Sequence, residues 1–276
     1  MTFFPPFNLP QGIFLLITDA LASPADFVLH RCLSAHLKEI SKTKSGVEVE
    51  AAAVSMAVAI LSVSESMARW KGVAGKSNVN LQSHIEGGSV EVINVFEEAQ
   101  PRNANGGRNG DEERLKGVIE RLRVSLARGD PVGGRKGEGE GEVNETSPGM
   151  KLVILDDISM LEWVGFDTTD VVRFARALRS VCTKANATLL VRHHIVTPGE
   201  PDEVFRHLLQ LCTYHLEVLP LASGRSGSVS GEVALHPGFS APKDGAKLIP
   251  RSAALQYRLT DTGAEFFAKG TSESVL

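Results

Sequence analysis

The chain of 276 residues has little cysteine and few aromatic side chains, and its charges nearly balance. Its three cysteines, Cys32, Cys182 and Cys212, lie far apart, and each falls in an apolar helical pattern. This arrangement argues against a disulfide framework or a zinc site and predicts small buried side chains in a reducing compartment. The formal net charge of −4 argues against a protein that coats nucleic acid, although a local basic patch is enough to bind RNA.

Long apolar runs are also missing from the sequence. The longest apolar stretch, Val47 to Val63, contains two glutamates and is too short to span a bilayer. The amino terminus, MTFFPPFNLPQG, has no basic region, and its prolines are incompatible with the helix of a signal peptide. We therefore expect a soluble protein of the cytoplasm and nucleus that does not bind a membrane.

What the sequence does contain is an alternation of short apolar runs and helical patterns. Three of the runs, Ile13 to Thr18, Lys151 to Leu155 and Ala187 to His194, are typical of strands buried on both faces. Ser23 and Pro24 predict the start of a helix after the first run, with Ser23 as its N-cap. Further predicted strands are Val54 to Val63, Val90 to Phe96, Tyr214 to Leu219, Ser228 to Leu235, Leu255 to Thr260 and Glu265 to Ala268.

This order predicts an α/β fold in one domain over residues 1–276. The central sheet is mostly parallel and flanked by helices, and antiparallel strands form its C-terminal edge. Within the domain, residues 97–149 hold eleven of the 26 glycines and should be a largely disordered insertion. The insertion contains one predicted helix at about 111–128, because apolar residues recur there on a single stripe.

The sequence lacks the phosphate loop of nucleotide-binding α/β proteins. Gly75-Lys76-Ser77 matches the end of that motif, but Trp70 stands where its first glycine is required. The loop should also follow the first strand, where the sequence from Asp19 to Asp26 is DALASPAD, without glycine or lysine. We expect a degenerate phosphate loop, no nucleotide-binding residues and no cofactor.

Acidic and imidazole side chains follow two of the buried strands. Asp156 and Asp157 match the end of the strand that holds Mg²⁺ in nucleoside triphosphatases. Without a phosphate loop, their alternative role is to cap the loop or helix that follows. His193 and His194 are adjacent in a strand and point to opposite faces, so they cannot share a metal, and we expect no metal site. An active ATPase with an unorthodox or composite nucleotide site, using Lys76 or Asp156, stays open as the alternative function.

Several segments of the sequence agree in order and spacing with one known family. They are LVILDDISMLEWVGF, DVVRFARALRS, the long segment NATLLVRHHIVTPGEPDEVFRHLLQLCTYHLEVLPLASGRSGSVSGEVALHPG and the closing YRLTDTGAEFFAKGTS. By these segments the chain resembles the fungal form of the sixth subunit of the Elongator complex. The opening LLITDALASPADFVLHRCL agrees less sharply, and residues 97–149 match nothing in that family.

The resemblance implies a RecA-like fold that has lost its phosphate loop and a subunit without catalytic residues. Members of the family join subunits four and five in a hetero-hexameric ring that associates with the Elongator core and binds tRNA. The whole complex modifies wobble uridine at carbon 5. By analogy with RecA, the loops Ser159 to Asp167 and Ile195 to Asp202 face the pore of the ring.

The analogy also yields candidates for contact with the tRNA backbone. These are Arg192, His194 and Arg206, together with Arg225, a glycine-flanked arginine in the loop SGRSG.

Overall fold

The structure is a computed structural model, which describes residues 2–3, 6–44, 56–99, 110–128, 150–197, 199–221, 229–243 and 245–269. Within them, two short strands form a ribbon, β1 (Thr2–Phe3) and β2 (Leu9–Pro10), and nine strands form the main sheet. The strands of the main sheet are β3 (Phe14–Asp19), β4 (Val58–Ser62), β5 (Val90–Asn94), β6 (Lys151–Leu155), β7 (Ala187–His194), β8 (Tyr214–Leu219), β9 (Gly231–Pro237), β10 (Leu255–Thr260) and β11 (Gly263–Phe267).

Helices connect most of the parallel strands, and the last three strands are joined without an α-helix. The helices are α1 (Asp26–Lys44), α2 (Met67–Lys76), α3 (Leu81–Glu86), α4 (Val95–Glu98), α5 (Gly110–Ala127), α6 (Ser159–Trp163), α7 (Thr168–Lys184) and α8 (Glu203–Leu211). A 3₁₀ turn, Arg251–Ala253, precedes β10. None of the helices in the described residues combines the length and the apolar character needed to cross a bilayer.

The strand order of the main sheet is β11-β10-β9-β8-β3-β7-β6-β4-β5. All neighbours from β8 to β5 are parallel, whereas β9, β10 and β11 are added antiparallel to β8 and to one another. The predicted α/β class, with a mostly parallel sheet and an antiparallel C-terminal edge, is therefore confirmed. The architecture is consistent with a RecA-like fold.

Helices cover both faces of the sheet, which explains why its central strands are apolar throughout. In β3, Phe14 and Leu16 join a core with α5, α7 and α8, whereas Leu15 and Ile17 join a second core with α1, α2 and α3. All six residues of β3 are buried. An alternating strand would have placed polar side chains in one of these cores.

Helix α5 lies where the sequence predicts a helix, and its apolar stripe is buried against α7. The residues of the stripe are Leu115, Val118, Leu122 and Leu126. Residues 100–109 and 129–149 lie outside the described part of the chain, so the disorder of the insertion stays a prediction. The first two residues of the predicted insertion, Glu97 and Glu98, lie in α4.

Helix α1 begins at Asp26, two residues after the predicted start at Pro24. The reason is a tight turn in which the Ser23 N–H donates to the carbonyl oxygen of Ala20. The Ala25 N–H then donates a hydrogen bond to the carboxylate of Asp19. Ser23 is thus part of the turn before the helix and is not its N-cap.

A long connection, described over residues 238–243 and 245–254, joins β9 to β10 and runs across the start of β8. The Gly238 N–H donates to the carbonyl oxygen of Thr213 (2.8 Å), and the Ser240 hydroxyl donates to that of Cys212 (3.0 Å). Further along, the Ala246 N–H donates to the phenol oxygen of Tyr214 (2.9 Å). We call residues 238–254 the strap.

Candidate functional site

The carboxyl ends of β3, β7, β6 and β4 meet at one edge of the sheet, because these strands are neighbours and parallel. Asp19 ends β3 and is paired in register with His194, the last residue of β7. Asp156 follows β6 directly. The side chains that the sequence analysis singled out therefore come together, as the topology of a parallel sheet predicts.

Asp19 is the centre of the first group at this edge. Its Oδ2 accepts hydrogen bonds from the Ala25 N–H (2.6 Å) and from Arg192 Nε (2.9 Å). Arg192 Nη2 lies 2.9 Å from the same oxygen, and His194 Nδ1 lies 2.9 Å from Oδ1. The Asp19 carboxylate is fully buried.

The position of this carboxylate bears on nucleotide binding. It sits just before the amino terminus of α1, where a phosphate loop would hold an anion. The anion position is thus filled by the protein's own carboxylate, with a guanidinium and an imidazole around it.

Asp156 caps the loop that follows the neighbouring strand β4. Its Oδ1 accepts from the N–H groups of Val63 (2.7 Å) and Ser64 (3.0 Å). Its Oδ2 accepts from the Glu65 N–H (2.9 Å) and the Ser62 hydroxyl (3.2 Å). Burial raises the pKa of Asp156, and these hydrogen bonds act against that shift.

Asp157 fixes the start of α6. Its Oδ1 accepts hydrogen bonds from the Ser159 N–H (3.1 Å) and the Ser159 hydroxyl. The Ser159 oxygen in turn accepts from the His194 N–H (3.1 Å), which ties the loop after β6 to the end of β7. Both aspartates therefore cap loops in this structure.

His193 and His194 contact different aspartates, as the alternation of side chains along a strand predicts. His193 Nε2 lies 2.8 Å from Asp202 Oδ2, and His194 Nδ1 is bonded to Asp19. Burial opposes the shift, but His193 and the Phe205 N–H hold the pKa of Asp202 below its usual value. In the described part of the chain, no cluster of three His, Cys, Asp or Glu side chains has the geometry of a metal site.

The four candidates for RNA contact lie in different environments. Arg192 is 9% exposed and is held by Asp19, and His194 is also mostly covered. Arg206 is exposed on the first turns of α8. Arg225 lies outside the described residues.

Sequence reasoning missed a second polar group, centred on Glu217 of β8. Arg251 donates to both carboxylate oxygens, and His236 Nε2 lies 3.2 Å from Oε2. Burial opposes the shift, but the guanidinium of Arg251 holds the pKa of Glu217 below its usual value. His215, on the same strand, is 2.6 Å from the Thr18 hydroxyl, and burial lowers its pKa to about 4.

The Glu217 group lines a groove of about 750 Å³ beside the loop that follows β7. The only sequence signal for it is the polar alternation of His215 and Glu217 within the apolar strand YHLEVL.

Large apolar side chains are exposed around the edge as well. Leu21 after β3, Trp163 and Val164 after β6, and Val196 after β7 are all at least half exposed. Their loops follow three strands that are neighbours in the sheet. An exposed apolar surface of this kind is typical of a protein interface.

Comparison with known proteins gives two matches. A family model described as Elongation complex protein 6 matches residues 4–261 of the chain. Elongator complex protein 6 of Homo sapiens is 26% identical over 284 aligned residues, which cover 98% of this chain and 96% of the human protein. Both alignments include β3, β7 and β6 with the polar residues that follow them.

Proposed function

The chain belongs to the Elongation complex protein 6 family, and from this membership we propose that it is a non-catalytic subunit of the Elongator complex. Its partners are then other Elongator subunits. In this role the chain joins subunits 4 and 5 in a hetero-hexameric ring, which associates with the Elongator core. The ring binds tRNA and supports the modification of wobble uridine at carbon 5, in the cytoplasm and the nucleus.

The observation that carries the non-catalytic role is the use of the two aspartates at the sheet edge. In a nucleoside triphosphatase, the anion position before the first helix must be open and the carboxylate after the metal-binding strand must face Mg²⁺. Here Asp19 fills the first position, and Asp156 accepts four hydrogen bonds from the loop after β4. Both groups serve the fold.

Ring assembly is supported by the apolar side chains exposed on the same edge. Trp163 is 60% exposed and Val196 is 59% exposed, although the segments that carry them are joined by the hydrogen bond from the His194 N–H to the Ser159 hydroxyl. Large exposed side chains on a rigid frame are typical anchors of protein interfaces. Their burial against a neighbouring subunit is favourable because no loop has to be ordered first.

For tRNA, we assign the main contact of the described residues to Arg206. It is exposed, and its position at the start of α8 follows the loop predicted to face the pore. Arg192 and His194 act indirectly, by fixing the ends of β3 and β7. To contact RNA directly, each would have to break its bond to the buried carboxylate of Asp19. Arg225 stays a candidate from the sequence.

Co-expression with subunits 4 and 5 tests the proposal. The expected result is one complex that contains all three proteins in equal amounts, with a mass of six chains by light scattering. Omitting any one of the three should leave smaller species. A chain that elutes as a monomer in the presence of both partners would refute the proposal.

A nucleotide titration tests the alternative function of an ATPase. We expect neither the isolated chain nor its Asp156→Ala variant to bind Mg²⁺-ATP at the sheet edge. Tight Mg²⁺-dependent binding that is lost in Asp156→Ala would instead make the chain an ATPase with an unorthodox site.

A further inference from the structure

A second concave surface lies between α1, the end of α2 and the tip of the β10–β11 hairpin. We call it the α1–α2 cleft. Its volume is about 470 Å³, which is in the range of small-molecule sites. Its apolar walls are formed by Phe27, Ala35, Val73 and Leu259. Phe27 is held in place because its ring stacks on Tyr257 with centroids 4.7 Å apart.

Two buried polar side chains of α1 line the cleft without hydrogen-bond partners. His30 is 4% exposed and Ser34 is 5% exposed, and they lie one helical turn apart. Neither imidazole nitrogen of His30 nor the hydroxyl of Ser34 is bonded to any residue that the structure describes. Buried polar groups are nearly always bonded in folded proteins, so two such side chains in one cleft point to a missing partner.

The protonation state of His30 determines which hydrogen-bond donors and acceptors the missing partner must have. Burial lowers the pKa of His30 to about 4, so the imidazole is neutral at physiological pH. A neutral imidazole has one donor and one acceptor nitrogen, and the serine hydroxyl can do both. Together they complement a group that presents a donor and an acceptor side by side, such as the edge of a purine base.

Three of the five side chains with a full charge that line the cleft are positive. Lys38 and Lys76 are exposed at its rim, and within the described part of the chain neither forms an ion pair. Arg31 also lines it. Of the two carboxylates there, Asp26 is paired with Arg69 at 2.6 Å, which leaves Asp261. The cleft therefore favours an anion.

We propose that the α1–α2 cleft binds a purine nucleoside monophosphate, with the base against Phe27 and its edge toward His30 and Ser34, and the phosphate near Lys38 and Lys76. The polar atoms of His30 and Ser34 are shielded from water, so the ligand reaches them through small movements of the lining side chains. Lysines supply the positive charge, so binding does not require Mg²⁺.

This role gives Lys76, from the sequence Gly75-Lys76-Ser77, a function that needs no phosphate loop. Lys76 ends α2 and Ser77 follows it, and both line the cleft. The site is independent of the ring and of tRNA, so its failure would leave the proposed function untouched.

Tryptophan fluorescence of the full chain tests the proposal. The chain has two tryptophans, and Trp70 packs on His30 with ring centroids 4.3 Å apart, so a Trp163→Phe background reports on the cleft alone. AMP and GMP, without Mg²⁺, should change the Trp70 emission in a saturable manner. Adenosine and inorganic phosphate should each bind at least about tenfold more weakly than AMP. Adenosine lacks the phosphate group, and inorganic phosphate lacks the purine base.

Matched variants locate the site. Lys76→Glu should weaken AMP binding by about tenfold or more, whereas Lys71→Glu, the same charge change at an exposed position of α2 outside the cleft, should change it by less than about twofold. Ser34→Ala, which removes only a hydroxyl, should reduce the preference for AMP over phosphate. Thermal unfolding of each variant checks that it is folded.

Three results would overturn the proposal. The first is no saturable signal with AMP or GMP up to about 5 mM, a concentration that corresponds to negligible affinity. The second is equal weakening by Lys76→Glu and Lys71→Glu, which would indicate unspecific charge attraction. The third is phosphate binding as tight as AMP binding, which would mean that the cleft binds anions and does not recognise the purine base.

Discussion

Single carboxylates at the edge of the sheet join segments that are distant in the sequence. Asp19 is bonded to Arg192, 173 residues away, and Asp156 to the N–H of Val63, 93 residues away. In a nucleotide-binding relative of this fold, a phosphate and a metal ion would bring such segments together. Here the protein's own side chains do so, and the edge is rigid without a ligand.

The cost of removing the Asp19 carboxylate tests this role. Asp19→Ala should lower the free energy of unfolding by about 3–5 kcal/mol, because it leaves the guanidinium of Arg192 buried without a partner. Urea denaturation measures the change. Asp26→Ala is the control, since it removes an ion pair to Arg69, whose side chain is 54% exposed, and should cost about 1 kcal/mol or less. Equal losses in the two variants would contradict the role given to Asp19.

Acid sensitivity should arise from two buried histidines, His30 and His215, because burial lowers the pKa of each to about 4. For His215 this is a shift of the pKa from 6.5, which Glu217 opposes and His236 and Arg251 extend. Since the folded state holds the neutral form, its stabilising contribution is complete above pH 6.5 and is lost as the pH falls toward 4. The full effect at His215 is about 3 kcal/mol.

The His215→Gln variant checks this expectation. Urea denaturation between pH 7 and pH 4.5 should show a loss of stability in the parent chain that is smaller in the variant by about 2–3 kcal/mol. If both chains lost stability in parallel over this range, His215 would not be one of the groups that titrate.

The sequence predicted the capping role of Asp156 but not the partners of the residues at the sheet edge. The capping role of Asp156 follows from the missing phosphate loop, but the loop that it caps belongs to β4, and only the strand order makes β4 a neighbour of β6. The burial of Arg192 was not predictable either, because a charged residue near a strand end is normally exposed. Its partner lies on β3, whose place beside β7 is a property of the whole sheet.

Among the elements, the strap fixes the junction between the parallel and antiparallel parts of the sheet. Its backbone runs so close to the start of β8 that a Cβ atom at Gly238 would overlap the carbonyl group of Cys212. The carbonyl belongs to the backbone between α8 and β8 and cannot rotate away. Strap and β8 therefore hold each other in position.

A single methyl group tests this contact. Gly238→Ala should destabilise the chain by about 2–3 kcal/mol, because backbone must move to accommodate it. Gly75→Ala is a suitable control, since a Cβ there meets open space in α2 and should stabilise the helix by up to about 1 kcal/mol. Differential scanning calorimetry of both variants measures the change in stability. If Gly238→Ala did not change the stability, the strap would be only loosely attached.

The types of most elements could be predicted from periodicity, but several of their ends could not. The strand Tyr214–Leu219 has the predicted bounds. By contrast, the predicted strand from Val90 to Phe96 ends at Asn94, because the Asn94 side chain accepts the N–H groups of Phe96 and Glu97 and starts α4. Such local hydrogen bonds compete with the strand and leave little trace in hydrophobic periodicity.

For the whole molecule, the two ends of the strands have different surfaces. The carboxyl edge carries the exposed Trp163, Val196 and Arg206, next to the loops predicted to face a pore. At the opposite edge, α7 ends at Lys184, before β7 begins. An RNA bound in the pore should therefore respond to changes at one edge and not at the other.

Charge reversal at each edge tests this polarity in the complex with subunits 4 and 5. Arg206→Glu should weaken tRNA binding several-fold and reduce its dependence on salt, since the proposed phosphate contact would be lost. Lys184→Glu makes the same change of charge at an exposed position of the opposite edge and should have little effect. Filter binding between low and physiological salt measures both, with light scattering to verify assembly. Equal effects of the two substitutions would place the RNA elsewhere.

The position of β3 also has a consequence for how the protein is made. β3 leaves the ribosome long before its two neighbours in the sheet, β7 and β8, the latter of which ends at Leu219. At about 5–20 residues per second, the segment FLLITD waits on the order of 10–40 s before both of its edges can be paired. During this time an apolar strand without neighbours is exposed to aggregation. The nascent chain should thus depend on chaperones until most of its length has been synthesised.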